Sequence, residues 1–350
     1  MADSEEHSNS PSDRPILASG VWKVFGKRVA DAMAMAREEV EQSEILAKSG
    51  CVVAVQDATF EVNWGEIFVV MGLSGSGKST LIRCLSRLVD ATAGRIVING
   101  QDLGEMPELE LRELRRHTIS MVFQNYGLFP HRRVIDNVAF GLEVRGATKE
   151  DRYQKAEEMI ELVGLDGWAS NYPEQLSGGM KQRVGLARAL AVDPEILLFD
   201  EPFSALDPLI RRDMQDELLG LQERLRCTMV FITHDFSEAL KLGDRIAIMR
   251  SGAIVQVGTP EEIVAHPADD YVRDFTIDVP RHKVLSAGTV MAGVSPDMVL
   301  EGEPVAVSAR LDAILPRLLT EGRPVPVVDE RGERCGVLEP AVVSRYLWRQ

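Results

Sequence analysis

No run of apolar residues in this chain approaches the ~20 needed to cross a bilayer, and no charged-then-apolar leader opens it, so the sequence is expected to stay in the cytoplasm. Cysteine is scarce. Cys51, Cys84, Cys227 and Cys335 lie far apart and form no C-x-x-C pair, which excludes a disulfide or zinc framework. Basic charge is also short: 39 Lys and Arg against 54 Asp and Glu give a net charge of −15, which argues against nucleic acid as a partner. There is no long-period repeat, no guanine-type N-K-x-D motif, and no sustained heptad pattern over residues 80–195. What remains is an ordinary globular composition, 45% hydrophobic and 27% charged, over 350 residues. That length fits one large domain plus a small one.

Residues 67–88, IFVVMGLSGSGKSTLIRCLSRL, anchor the reading. An apolar run, Ile67 to Met71, leads into the turn Gly72-Leu73-Ser74-Gly75-Ser76-Gly77. Lys78-Ser79-Thr80 then opens a segment whose Leu81, Ile82, Leu85 and Leu88 recur at helical spacing. Gly72, Gly77, Lys78 and Ser79 fit G-x-x-x-x-G-K-[ST], the Walker A pattern. The glycines let the backbone turn tightly, so that successive N–H groups face an anion. The helix start adds its positive dipole end at the same point. Lys78 can neutralise β- and γ-phosphates, and the Ser79 hydroxyl can ligate Mg²⁺. This is a nucleotide-phosphate site.

The polar residues 1–15 predict a disordered tail. A strand over 20–26 and a helical insert over 28–48 follow, the insert with Val29, Met33, Ala36, Val40 and Ile45 on one face. Strands are expected at 52–62, 95–99, 118–123, 196–199, 228–232 and 244–250, and helices at 107–116, 134–144, 150–163, 177–191 and 209–226. Apolar strands alternating with helices predict a mostly parallel α/β core buried on both faces. Ile196 to Phe199 is the buried strand that delivers Asp200 and Glu201 at its C-terminal edge, where ligands bind in such sheets. Asp200 would hold Mg²⁺ through its water shell, and Glu201 would polarise the attacking water.

Leu176-Ser177-Gly178-Gly179-Met180 opens another helix, giving a second N-terminus suited to phosphate in the same chain. Here the sequence resembles the ATP-binding cassette (ABC) family, whose signature is LSGG. The resemblance covers residues 16–284 and implies a P-loop nucleotide-binding domain. Its parts are a mostly parallel core sheet, an antiparallel β subdomain and a helical signature subdomain. It assigns Gln124 to the loop glutamine near Mg²⁺ and the attacking water, and Ser204 to Asp207 to the D-loop. It assigns His234 to the switch histidine at the γ-phosphate. Phe25 has two readings, the aromatic that stacks on adenine or strand-end core.

The insert 28–50, the runs MGLSGSGKSTLIRCLSRLVDATAGRI and GMKQRVGLARAL, and the ending RDFTIDVPRHKVL are similar to the glycine betaine/proline/choline importer ATPases, in which Met commonly follows LSGG. That likeness implies ATP hydrolysis with Mg²⁺ in a head-to-tail homodimer at the cytoplasmic face of the cell membrane. It further implies integral-membrane permease subunits docked on NYGLFPHRRVIDNVAFGLEV, and an extracytoplasmic solute-binding protein as an indirect partner. It does not choose among glycine betaine, proline, choline and carnitine; another small solute, or a cassette ATPase uncoupled from transport, is the alternative. Residues 285–350 resemble one CBS repeat, read either as a regulatory module or as a dimer-stabilising flap.

Overall fold

A computed structural model describes residues 14–124, 126–293 and 302–347. The expected N-terminal tail lies almost wholly outside the described residues. Among the described residues thirteen strands follow in chain order: β1 (Ile16–Phe25), β2 (Val52–Val62), β3 (Ile67–Met71), β4 (Ala93–Ile98), β5 (Gln101–Asp102), β6 (Ile119–Val122), β7 (Ile196–Asp200), β8 (Thr228–Thr233), β9 (Arg245–Arg250), β10 (Ala253–Gly258), β11 (Val305–Ala306), β12 (Val325–Val328) and β13 (Arg334–Leu338).

The central sheet runs β10-β9-β3-β8-β7-β6, with only β10 antiparallel. Every residue of β3, β7 and β8 is buried, so these strands read as continuous apolar runs without polar alternation. Their side chains still alternate between faces. Val69, Met71, Leu197 and Phe199 enter one core, covered by helix Gly178–Leu190. Phe68, Val70, Ile196 and Leu198 enter the other, shared with helix Lys78–Leu85 and the antiparallel sheet β2-β1-β4-β5. Four of the parallel strands, β3, β6, β7 and β8, end at one edge, and each is followed directly by a segment that carries expected chemistry.

Three local expectations change. β1 begins at Ile16, not near residue 20, because Ile16 to Ala18 pair with β2 on one side and β4 on the other. The insert is two helices, Val29–Arg37 and Gln42–Ser49, not one. The break is at Glu39, which turns left-handed (φ +58°) and lets Ile45 swing back onto Trp22, Ala32, Met33, Ala36 and Cys51 in a small core of its own. The expected helix over 134–144 is two short ones, Val134–Val138 and Phe140–Val144.

Strands β11-β12-β13, with helices Leu311–Glu321 and Pro340–Leu347, form a third sheet at the C-terminal end. It does not stand apart. Leu285, Val290, Leu311 and Ile314 share one apolar core with Ile263 and Val264. A polar clamp seals this contact: the Glu261 carboxylate, on helix Pro260–Ala265, accepts from the Ser286 N–H and the Thr289 hydroxyl. Burial pushes the Glu261 pKa up, but the bonds from Thr289 and Ser286, with Arg310 nearby, outweigh it and hold the group below its ordinary value.

Replacing Glu261 by Ala is expected to cost about 1–3 kcal/mol, because two part-buried donors lose their acceptor. A depressed carboxylate pKa stabilises the fold above its unfolded value, and this contribution fades as pH falls through the folded one. The urea midpoints of wild type and Glu261→Ala should therefore differ at pH 7 and converge in acid. Equal midpoints at pH 7 would mean that the clamp contributes nothing.

Candidate functional site

The P-loop is shaped by two close backbone approaches. A Cβ on Gly72 would lie 2.3 Å from the Met249 carbonyl oxygen, and one on Gly77 would lie 2.0 Å from that of Ala54, where φ is also +102°. No side chain fits at either position. The turn thus packs against β9 and β2 and leads straight into the helix that starts at Lys78. Ser76 Oγ is buried with no hydrogen-bond partner among the described residues. An orphaned hydroxyl inside a glycine cradle at a helix N-terminus suits a polyphosphate.

Lys78 is only 4% exposed. Its Nζ donates to the carbonyls of Gly72 (2.8 Å) and Leu73 (3.0 Å) and lies 3.6 Å from Glu201 Oε1. Burial pushes its pKa below the ordinary lysine value, against the opposing pull of Glu201 and Asp200. A buried ammonium held by weak neutral acceptors and one carboxylate is poised for a stronger anion.

Asp200, 2% exposed at the end of β7, accepts from Ser79 Oγ at 2.7 Å, and its Oδ2 is 3.3 Å from Arg83. A serine hydroxyl and a buried carboxylate in contact are the hard oxygen donors that Mg²⁺ prefers. Glu201 follows in the left-handed region (φ +47°), a strained conformation for a non-glycine residue that aims its carboxylate off the sheet edge. Its Oε2 lies 3.1 Å from His234 Nδ1, which β8 delivers at the same edge. Gln124, beyond β6, joins this group indirectly: its Nε2 donates to Ser204 Oγ (3.3 Å), which donates to the Glu201 carbonyl (3.0 Å).

Walker A, Asp200, Glu201, His234 and Gln124 are thus brought together at one edge of the sheet. The signature stands elsewhere. Ser177 caps helix Gly178–Leu190 by accepting from the Met180 N–H (3.3 Å). Gly178 lies beside Tyr126 and Leu206, and a Cβ on Gly179 would meet Ile210 at 2.6 Å. Ser177 and Gly178 are exposed, so this helix end faces outward. Asp207 is the N-cap residue of helix Pro208–Leu225 but accepts no bond from that helix, leaving its carboxylate available. Phe25 is 44% exposed at the end of β1, opposite Val52 of β2 and two positions from the Ala54 carbonyl under the P-loop.

Two residues went unread in the sequence. Arg83 backs Asp200, and its place one helical turn after Ser79 was the available signal. Arg211 ties the D-loop to the switch segment, donating to the Leu206 carbonyl and to Asp235, each at 3.2 Å. Asp235 in turn caps helix Phe236–Leu242 through the N–H groups of Ser237 and Glu238.

The family model described as ABC transporter matches residues 55–204. The chain is 48% identical over 332 residues to the trimethylamine N-oxide transport system ATP-binding protein TmoW of Pelagibacter ubique, a match spanning 95% of this chain and 97% of that one. It is 49% identical over 335 residues to the glycine betaine/carnitine transport ATP-binding protein GbuA of Listeria monocytogenes, spanning 95% and 82%. With the glycine betaine/proline betaine ATP-binding protein ProV of Escherichia coli the figures are 52% over 267 residues, 76% and 67%. Among solved structures, the dimeric ATP-binding cassette MJ0796 bound to ADP and Pi superposes with a TM-score of 0.59 at 30% identity, over 70% of this chain and 98% of that one. The phosphate cradle, the acid pair at the strand edge and this likeness along the whole chain agree: the protein belongs to the ABC transporter family, as an ATP-hydrolysing subunit.

Proposed function

We propose that this chain powers import of a small solute bearing a methylated, cationic nitrogen, glycine betaine or a close relative, through a membrane permease. The two relatives that match along 95% of the chain are named for trimethylamine N-oxide and for glycine betaine and carnitine, and the one that matches 76% of it for glycine betaine and proline betaine. These solutes share that chemical feature and otherwise differ. The ATPase itself does not touch the solute, so its sequence carries the pairing with a permease and not the choice of ligand.

One observation supports the mechanism: each chain has two glycine-rich helix starts suited to phosphate, and they face different places. The Lys78 end lies in the cradle with the acid pair, while the Ser177 end opens on the surface. Two copies arranged head to tail place Ser177, Gly178 and Gly179 of one over the P-loop of the other, completing each site across the dimer. In the closed state Lys78 leaves the Gly72 and Leu73 carbonyls for the β- and γ-phosphates. Ser79, Asp200 and Gln124 would hold Mg²⁺, which when bound supplies positive charge to the phosphate oxygens. Glu201 accepts a proton from the attacking water, and His234, bonded to its other oxygen, keeps that carboxylate in place.

Closure moves the permease through the loop before Val134. Asn137, fully buried, shapes that loop by accepting from the Phe129 N–H (2.7 Å) and donating to the carbonyls of Phe129, Arg132 and Arg133. The C-terminal sheet, whose order and flanking helices suit one CBS-like unit, serves dimer stability or regulation.

No helix among the described residues is long and apolar enough to cross a membrane, and in this reading the permease holds the protein at the membrane. On fractionation, the protein should follow the membrane when the permease is co-expressed and stay in the supernatant without it. In vesicles holding the permease and binding protein, labelled glycine betaine should accumulate only with ATP on the side of this subunit. ATP-dependent uptake of an unrelated solute, with none of any methylated amine, would overturn the substrate reading.

A further inference from the structure

The helical insert over residues 28–50 is used by none of the chemistry above, yet it reaches the nucleotide site. Its second helix begins at Gln42, whose Nε2 donates to the Val53 carbonyl of β2 (3.0 Å) and to the Ser251 carbonyl (2.5 Å). Ser251 and Gly252 are the two residues of the β9–β10 hairpin, both left-handed, with φ of +50° and +86°. Such a turn suits the strand twist, but Ser251 is strained in it. The tip of this hairpin rests on the P-loop. The Gly252 N–H donates to the Ser76 carbonyl (3.0 Å), and a Cβ on Gly77 would sit 3.5 Å from Gly252 Cα. The far side of the turn is held too. The Gln56 N–H donates to the Gly252 carbonyl (2.8 Å), while the Gln56 side chain donates to the Ala36 carbonyl of the first insert helix (3.1 Å).

We infer that Gln42 is a positioning residue for the nucleotide: it clamps the Ser251–Gly252 hairpin against Ser76, fixing the part of the P-loop whose N–H groups and hydroxyl receive the phosphates. One amide thereby joins the insert and the start of β2 to a hairpin 209 residues further along the chain, at the underside of the cradle. The insert is rigid enough to serve. Its small apolar core fixes both helices on the ends of β1 and β2. Gly26, where the insert starts, packs so closely on Cys51, where it ends, that a Cβ would lie 2.5 Å from the Cys51 sulfur. Without Gln42 the strained hairpin has only its own backbone bonds to hold it on the P-loop, and the cradle samples looser geometries that bind phosphate less well.

The test uses the full chain with Gln42→Ala and Gln42→Glu. Gln42 is half-exposed, so neither change should unfold the protein. ATP binding is measured at equilibrium in EDTA, where no turnover occurs. The dissociation constant should rise about fivefold for Ala, as for loss of a bond worth about 1 kcal/mol. The rise should be larger for Glu, which sets a carboxylate against two carbonyls. In steady state the loss should fall on KM, with kcat changed less than about twofold. Hydrogen exchange without nucleotide gives an independent readout: the Gly252 amide should exchange about tenfold faster in Gln42→Ala, while amides of β3 and β7 stay as in wild type. Gln42→Lys, which keeps a donor, should restore most of the affinity. Unchanged ATP affinity in both Ala and Glu variants, or unchanged exchange at Gly252, would overturn the proposal. So would acceleration across the whole sheet, which would mark a general structural role. Failure of the wild type to bind ATP would instead overturn the phosphate-site reading on which this inference rests.

Discussion

Lys78→Ala should leave a folded protein whose ATPase turnover is lower by at least ~100-fold, the usual cost of removing one charge-stabilising donor from a site of this kind. In the structure this ammonium is buried and satisfied by two carbonyls and one carboxylate. Its burial pulls its pKa down, so it is held at a cost in solvation that a triphosphate, carrying several negative charges, would offset. Alanine removes that buried charge along with its bonds, and these two effects oppose each other in the fold. Stability should therefore change little while turnover collapses. The measurement is phosphate release alongside a thermal melt, with circular dichroism to confirm folding. Turnover near that of wild type in a correctly folded variant would remove the P-loop from the mechanism.

Much of this site could be read in the sequence because its parts are local. β3, the turn and helix Lys78–Leu85 are contiguous, and their glycine and lysine spacing follows from backbone geometry alone. β7 announced itself as four apolar residues ending in a carboxylate, since a strand buried on both faces has no polar alternation to blur its end. The elements that were misread depend on distant partners. Nothing in residues 16–19 marks a strand until β2 and β4 flank it. The insert's periodicity ran through Glu39 because helix propensity is indifferent to a break that only packing onto Trp22 and Cys51 selects. Gln42, Arg83 and Arg211 act on the Ser251 carbonyl and on the Asp200 and Asp235 carboxylates, 209, 117 and 24 residues away. Contacts at that range leave no spacing to read, and the place of Arg83 one turn after Ser79 gains its meaning only once Asp200 stands between them. The C-terminal module was legible as strands and helices, but its docking through Glu261 was not, for the same reason.

Glu201→Gln should still bind ATP and should hydrolyse it at least ~100-fold more slowly, in line with the contribution of a positioned proton acceptor. The substitution is nearly isosteric, and the backbone strain at φ +47° is the same for either side chain. The His234 contact can survive as well, because a glutamine amide can turn its oxygen toward Nδ1 as the carboxylate does at 3.1 Å. What disappears is the negative charge that accepts the proton from water and that pairs with Lys78 at 3.6 Å. Without that carboxylate Lys78 has only carbonyls to hold it, so its transfer to phosphate should be no harder than in wild type. Binding and closure then proceed while the chemical step stalls, and the closed pair should accumulate. Size-exclusion chromatography with ATP and Mg²⁺ should show a dimer for Glu201→Gln and mainly monomer for the wild type, whose closed state is consumed by turnover. A variant that binds ATP yet elutes as a monomer would contradict the head-to-tail arrangement of Ser177 over the partner's P-loop. A variant that hydrolyses ATP at the wild-type rate would instead leave the dimer untested by this route and move the proton acceptor away from Glu201, with His234 the next group at the same strand edge.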